Sequence, residues 1–521
     1  MTHARPTISS TNRISRVTPQ APIAIIGAGP GGLTAAFELV RNGVPVVVFE
    51  GDSQTGGLAR TVSYRGFRFD IGGHRFFTKV PEVQALWRAM LGPDLLKRPR
   101  LSRIFYHGKF FDYPLKPLTT LRNLSLWTIA WVLASYIRVK LRPIRPEVSL
   151  TDWVSNRFGR KLFEMFFKTY TEKVWGMPCT RISAEWAAQR IKDLSLVSAV
   201  WNMLFPRRNR GHSAIKTLID EFEYPRLGPG MMWERFADRI AELGGQVCLN
   251  TSVIGIRCEG SHVVEIVVEH EGRRRRQPVS HVISTMPMSA LVRCLEPQAP
   301  AAVIAAAKAL KYRDFITVAV IIDQPSVFPD NWIYVHDDSV RVGRIQNYKN
   351  WSPDMVPDPQ YTCLGLEYFV NEGDELWQMQ DARLLALAAR EIESIGLVPA
   401  TAIIDGTVVR MPKAYPVYES GYLDTLDVIK TYISAFDNLQ LVGRNGMHRY
   451  NNQDHSMLTA LLAVRNLFGA GYDLWKVNAD DEYHEEQSAA AEGSDKEMDR
   501  YLRDLAETQP LVPSQIRLDK S

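Results

Sequence analysis

At 521 residues the chain exceeds the usual size of one hydrophobic core, so two or three domains are expected. A net charge of +5 is small for this length and argues against a nucleic-acid binder. The five cysteines (Cys179, Cys248, Cys258, Cys294, Cys363) are odd in number, scattered and without metal-ligand spacing, which points to a reducing, cytoplasmic compartment and away from a disulfide framework or a metal site.

Residues 1–20 carry Ser, Thr and Arg, no acid and no apolar core, and read as a disordered leader. The stretch from Ala21 to Glu50 organises the rest. An apolar run, 23–26, reads as a buried parallel strand and ends in Gly27-x-Gly29-x-x-Gly32. A helical pattern follows, with Leu33, Ala36, Phe37 and Val40 on one face and Asn42-Gly43 as its stop. A second buried strand, 46–49, closes on Glu50. In this strand–turn–helix–strand unit Gly27 permits the tight turn, Gly29 admits a pyrophosphate to the backbone, and Gly32 lets helix and strand pack closely. The helix start offers free N–H groups to the phosphates, and Glu50 stands where ribose hydroxyls need an acceptor. The unit predicts a bound dinucleotide. Gly56-Gly57-Leu58-Ala59-Arg60 follows at once. A glycine pair and an arginine just past the acidic strand resemble flavoproteins of the amine oxidase and protoporphyrinogen oxidase kind. The resemblance implies FAD, with Gly57, Leu58 and Arg60 beside it.

Asp70-Ile71-Gly72-Gly73-His74 places flexible backbone next to an imidazole. A Gly-Gly pair in a strand-like pattern suggests close approach to a ligand, here the flavin ring, with Gly73 and His74 against it. Residues 103–115 read as a hairpin turning at His107-Gly108. Residues 124–137 are apolar nearly all round and are followed by Arg138, Lys140, Arg142 and Arg145. Two readings stay open for this short run: a buried helix or subunit contact, or a helix that dips into an anionic bilayer surface. Residues 148–194 look helical, with their aromatic residues in a core. Arg207 to Arg210 and Arg273 to Arg276 read as solvated loops, the latter at a hairpin turn. A helix is expected over 233–243, strands over 247–250, 253–256, 263–268 and 279–284, and a substrate sheet from 317–322, 332–335, 342–348 and 363–369. Helices at 382–395 and 456–470 flank a short strand at 439–443. The charged tail after Asn478 is a loosely attached helix or disordered.

The expected fold is therefore α/β: a Rossmann-type FAD-binding domain with an inserted, mainly helical domain and a β-rich substrate domain. The division is leader 1–20; FAD-binding domain 21–100, 216–295 and 431–476; hairpin and helical domain 101–215; substrate domain 296–430; and tail 477–521.

Four blocks carry a more specific likeness: GGLARTVSYRGFRFDIGGHRFF, YTEKVWGMPCTRISAEWAAQRI, DNWIYVHDDSVRVGRIQNYKNWS and GRNGMHRYNNQDHS. In their order and spacing the chain resembles the flavin-dependent UDP-galactopyranose mutases, especially the longer eukaryotic kind. The resemblance implies an FAD-dependent isomerase that interconverts pyranose and furanose forms of a nucleotide-diphospho-sugar, by attack of reduced flavin N5 on the anomeric carbon. It implies His74 near N5 and Phe77 in the same pocket. Tyr113 would stack near the base, and Trp175 and Arg190 would face the sugar. Tyr334, Arg344, Tyr415, Arg444 and Tyr450 would hold the diphosphate, and Asn452 and Gln453 would meet the flavin. His74, Arg344 and Arg444 form the implied catalytic set. Two arginines and several tyrosines suit a diphosphate, because guanidinium groups make bidentate, charge-assisted bonds to its oxygens. The family's base-contacting Gln is Lys116 here, its Asn before the tryptophan is Thr171, and the Tyr450–Asn452 spacing is two residues shorter. The reduced flavin implies a transient donor such as NAD(P)H. The competing class is a net oxidoreductase of the amine oxidase, protoporphyrinogen oxidase or desaturase type, acting on a small or lipid-linked substrate. A homo-oligomer and a peripheral membrane contact through 124–137 fit either class.

Overall fold

The computed structural model describes residues 21–113, 115, 120, 123–184, 221–419 and 421–478. The readings for 1–20, Lys116, 185–194, Arg190, Arg207 to Arg210 and the tail after Asn478 fall outside them.

Ile23–Ile26 is buried along its whole length and pairs in parallel with Val46–Phe49 on one side and His281–Ser284 on the other. Leu439–Leu441 and Gln246–Cys248 complete a five-stranded parallel sheet. Both faces are covered, which is why these strands read as continuous apolar runs rather than alternating ones. The Pro30–Arg41 helix packs on one face with Gln453–Leu467 and Gly230–Glu242, through Leu33, Phe37, Met457, Leu461 and Phe236. The other face holds Ala24, Ile26 and Phe49 against a smaller sheet and the helices Ala301–Ala309 and Tyr422–Ile433.

A seven-stranded sheet forms the second layer, in the order Ile403–Pro416, Tyr312–Ile322, Thr362–Val370, Arg344–Asn347, Trp332–Val335, Ser102–Tyr106, Lys109–Asp112. The predicted hairpin is present and packs on the helices that follow it through Ile104 and Phe111, but its backbone pairing lies elsewhere. Ser102–Tyr106 pairs in parallel with Trp332–Val335 and extends the substrate sheet. Conversely, the helices near 301 and 422 pack on the dinucleotide sheet although they lie inside 296–430. Periodicity finds an element; it does not name its partner.

Two further readings need correction. Arg273–Pro278 is a strand on a sheet edge, and the turn lies at Glu271-Gly272, both at positive φ. Arg274 reaches Glu269 at 2.9 Å, and the exposed charges protect the edge from pairing with other chains. The apolar run after residue 124 does form a helix, Leu126–Leu141, but only Val132 and Val139 are buried in it, so it is not a core helix. No helix among the described residues is long and apolar enough to cross a membrane. None of the five cysteines is in a disulfide.

Candidate active site

The carboxyl ends of the parallel strands open onto a cavity of about 540 Å³. Two helix starts border it, at Gly29-Pro30-Gly31 and at Asn452-Gln453. Gly27 turns the chain at φ +97°, and a Cβ there would lie 2.1 Å from the Thr285 hydroxyl. At Gly32 a Cβ would fall 1.8 Å from the Gly27 carbonyl oxygen, so Gly32 serves helix–strand packing and does not line the cavity. Gly57 crosses directly over Gly29, where its Cβ would be 3.3 Å from the Gly29 Cα. Glu50 accepts from the backbone N–H of Ala28 at 2.6 Å and of Asp52 at 2.9 Å. Its carboxylate is thereby fixed on the cavity wall. Arg60, at the same wall, ion-pairs with Asp52.

The Gly72-Gly73-His74 loop joins this cradle to the substrate layer. Asp70 anchors it: Thr61 donates to its carboxyl at 2.8 Å, Tyr224 makes a second short bond, and Tyr348 donates to its backbone carbonyl at 2.8 Å. Burial pushes the Asp70 carboxyl up to about 7. His74 Nε2 is 2.8 Å from the Ile71 carbonyl, which can only accept, so Nε2 carries the proton. Burial, reinforced by the positive charges of Arg444 and Arg344, lowers the His74 pKa to about 4. The ring is neutral at physiological pH although one side of it faces the cavity.

The two arginines differ. Arg344 Nε bonds to the fully buried Glu367, whose other oxygen accepts from Gln346 at 2.9 Å. Burial opposes the Arg344 charge, but Glu367 more than restores it. Burial pushes the Glu367 carboxyl up while Arg344 pulls it down. Arg444 is held without such a partner: its guanidinium carbon lies 4.2 Å from the Tyr450 ring centre and 4.8 Å from that of Tyr415. Those rings stack at 5.7 Å and 19°. The buried Nε and Nη2 of Arg444 have no hydrogen-bond acceptor. Both arginines, both tyrosines and His74 line the cavity with Leu58, Gly73, Asn452 and Gln453. Gln453 is additionally held by Trp233, which donates to its amide oxygen at 3.1 Å.

Four candidate residues stand behind this wall. Tyr334 and Tyr113 pack edge to face at 5.0 Å, with the Arg100 guanidinium over the Tyr113 ring. Trp175 is buried against Tyr418, whose hydroxyl accepts from the Tyr450 N–H, so its link to the cavity is indirect. Phe77 is half-buried and not on the cavity surface. Arg190 lies outside the described residues.

Sequence reasoning missed Lys413, which lines the cavity beside Met411 and Pro412. A bulge opposite Arg313 and Phe315 puts it at φ 55°, and the buried Asp314 pins it by accepting its N–H at 2.7 Å. Bulges of this kind re-aim side chains next to sites, and no local signal announces them. Glu367 and Tyr170 were also missed. Tyr170 stacks on His336 at 4.9 Å and meets Tyr334 edge to face.

Residues 30–444 match the flavin-containing amine oxidoreductases, and the chain belongs to that family. FAD is the cofactor this membership implies. The residues present fit it: a backbone cleft that any Cβ at Gly57 would narrow, a fixed carboxylate at the strand end, and two helix starts for the diphosphate. In fold the chain is similar to reduced UDP-galactopyranose mutase, with a TM-score of 0.76 at 21% identity over 89% of this chain and 98% of that one. It is also similar to putrescine oxidase, with a TM-score of 0.58 at 16% identity over 85% and 99%. In sequence it is 26% identical over 277 residues to the lycopene-forming phytoene desaturase of Pantoea ananas, covering 49% of this chain and 53% of the desaturase. It is 41% identical over 64 residues to protoporphyrinogen oxidase 2 of Arabidopsis thaliana, covering 12% and 13%. The chain thus spans about half, or far less, of these sequence relatives.

Proposed function

We propose that the protein is an FAD-dependent nucleotide-diphospho-sugar mutase of the UDP-galactopyranose mutase kind. Arg444 carries the reading. Its guanidinium is clamped by two tyrosines on the wall of the cofactor cavity, and two of its nitrogens are buried without an acceptor. A hydrocarbon has no use for that charge and an amine would be repelled by it, whereas a diphosphate satisfies it. The fold likeness to UDP-galactopyranose mutase agrees with this reading.

When bound in its reduced form, the flavin supplies a nucleophilic N5 for the anomeric carbon, and a transient donor of the NAD(P)H class supplies the reducing equivalents. The chain's own residues bind and orient. Arg344, locked by Glu367, fixes the angle of one guanidinium, and Arg444 contributes the uncompensated positive charge that favours departure of the diphosphate. Burial keeps the Tyr415 phenol protonated, so it donates rather than repels. Neutral His74 ties the Gly72-Gly73 loop to the Ile71 carbonyl and adds no charge of its own.

The test is anaerobic: reduce the purified flavoprotein with dithionite and offer UDP- and GDP-sugars. Ring-form interconversion without flavin reoxidation is the expected result. The second reading, a net oxidoreductase for a lipid-linked substrate, draws on the exposed apolar helix whose Val132 shares a packed cluster with Tyr113 and Tyr334. Bleaching of oxidised flavin by substrate alone, with peroxide formed in air, would decide for it and against the mutase.

A further inference from the structure

Eight of the fourteen exposed large apolar side chains among the described residues lie between positions 126 and 148. On the Leu126–Leu141 helix, Leu126 is 84% exposed, Trp127 86%, Trp131 66% and Leu141 77%. Monomers rarely leave so much contiguous apolar surface in water without a use for it. The helix is not loosely attached. Val132 and Val139 face inward, Ser135 accepts the Lys161 N–H at 3.0 Å, and Gly159 permits a backbone approach so close that a Cβ would sit 2.9 Å from the Tyr136 nitrogen. The apolar face is therefore aimed outward by packing.

We propose that this helix is a docking element that lies in the plane of an anionic bilayer surface. Three observations select lipid. At sixteen residues the helix is roughly 24 Å long, short of the roughly 30 Å hydrocarbon core, so it lies on a bilayer rather than across it. Its outward face presents two tryptophans one turn apart, the residue type favoured at the headgroup boundary. Cations gather at one end: Arg138, Lys140, Arg142 and Arg145 are all exposed, and positions 123–146 contain no carboxylate. A second copy seated there would set that cationic end against like charge or bare apolar surface. Anionic headgroups over acyl chains answer both halves of the face. The inner side of the helix shares a cluster with Tyr113 and Tyr334, so docking would bring the layer behind Arg344 close to the membrane. The docking itself is independent of which reaction the cavity performs.

The test is flotation of the full-length, FAD-loaded protein with vesicles of phosphatidylcholine, with and without phosphatidylglycerol. The protein is expected to rise with the anionic vesicles and to be released by added salt. Trp127→Ser/Trp131→Ser should lower the bound fraction about tenfold, and Arg142→Glu/Arg145→Glu should abolish the preference for anionic lipid. Both variants should keep wild-type flavin absorbance and melting temperature. Absence of flotation at low salt, or flotation that survives both double substitutions, overturns the proposal. A dimer broken by Trp127→Ser/Trp131→Ser would assign the face to a second copy instead. Strong hydrogen-exchange protection of 126–141 in the lipid-free monomer would assign it to another segment of this chain.

Discussion

The two walls of the cavity are made of different material. The cofactor side is backbone: Gly27, Gly29 and Gly57 shape it by lacking side chains, and Glu50 is fixed by the backbone amides of Ala28 and Asp52. The other side is side chain: Arg344, Tyr415, Arg444 and Tyr450 converge from three segments of the fold. A backbone wall fails by intrusion and a side-chain wall by removal.

The largest effect should come from intrusion. Gly32→Ala drives a methyl onto the Gly27 carbonyl and should cost about 3 kcal/mol or more, seen as lost soluble protein and lost flavin. Gly29→Ala meets only the Gly57 Cα, at 4.0 Å, so it should fold normally and carry less flavin. Full flavin content in Gly29→Ala would break the distinction between the walls.

Removal on the far side should depend on what is left behind. Arg344→Ala strands the buried Glu367 charge and should destabilise by about 3–5 kcal/mol in thermal melts. Arg344→Ala/Glu367→Gln should recover most of that loss; if it does not, the pair is not what holds this strand region.

Where the walls meet, Asp70 gives a pH signature. Its folded pKa, about 7, is above the unfolded value near 3.9, so the folded state alone keeps the proton between those limits. The stabilisation is fully present below the unfolded pKa and is lost as pH rises through 7. Asp70→Asn does not titrate. The wild type should therefore lose up to about 4 kcal/mol relative to the variant between pH 4 and 7, measured by denaturant unfolding. A flat difference would mean that the carboxyl is not desolvated.

Arg444→Ala leaves no buried carboxylate stranded. It should weaken UDP binding about 10- to 100-fold by calorimetry, with flavin content and melting temperature unchanged. The smallest change is expected from Tyr334→Phe, at most about threefold, because its ring packs behind the wall rather than on it. A larger loss would move Tyr334 into the site and blur the line between wall and support.

The same contrast explains what could be read from the sequence. The cradle is local: residues 23–50 fix strand, turn, helix and acid within one unit, and the structure reproduces it nearly residue for residue. The arginines and tyrosines of the other wall came from a family resemblance, since no periodicity points from Arg344 to Arg444. Ile403–Pro416 went unread as a strand because Asp405, Gly406, Pro412 and Lys413 interrupt it, and pairing with Tyr312–Ile322 overrides that composition. Glu367 was hidden because its importance depends on a cross-strand neighbour, Arg344, in the antiparallel ladder. The exposure of Trp127 was hidden for a simpler reason: an all-apolar helix has no polar face to say which side is out.

The strand order of the parallel sheet bears on how the enzyme is made. Ile23–Ile26 leaves the ribosome early, yet one of its two neighbours is His281–Ser284, and the next strand outward is Leu439–Leu441. The second helix start that faces the cavity, at Asn452-Gln453, is translated later still. A nascent chain halted before those segments holds the whole glycine fingerprint but only one of the two helix starts that border the cavity. The cavity's wall is thus completed late in biosynthesis: a chain halted before Leu439 has four of the five central strands but still lacks the helix start at Asn452-Gln453.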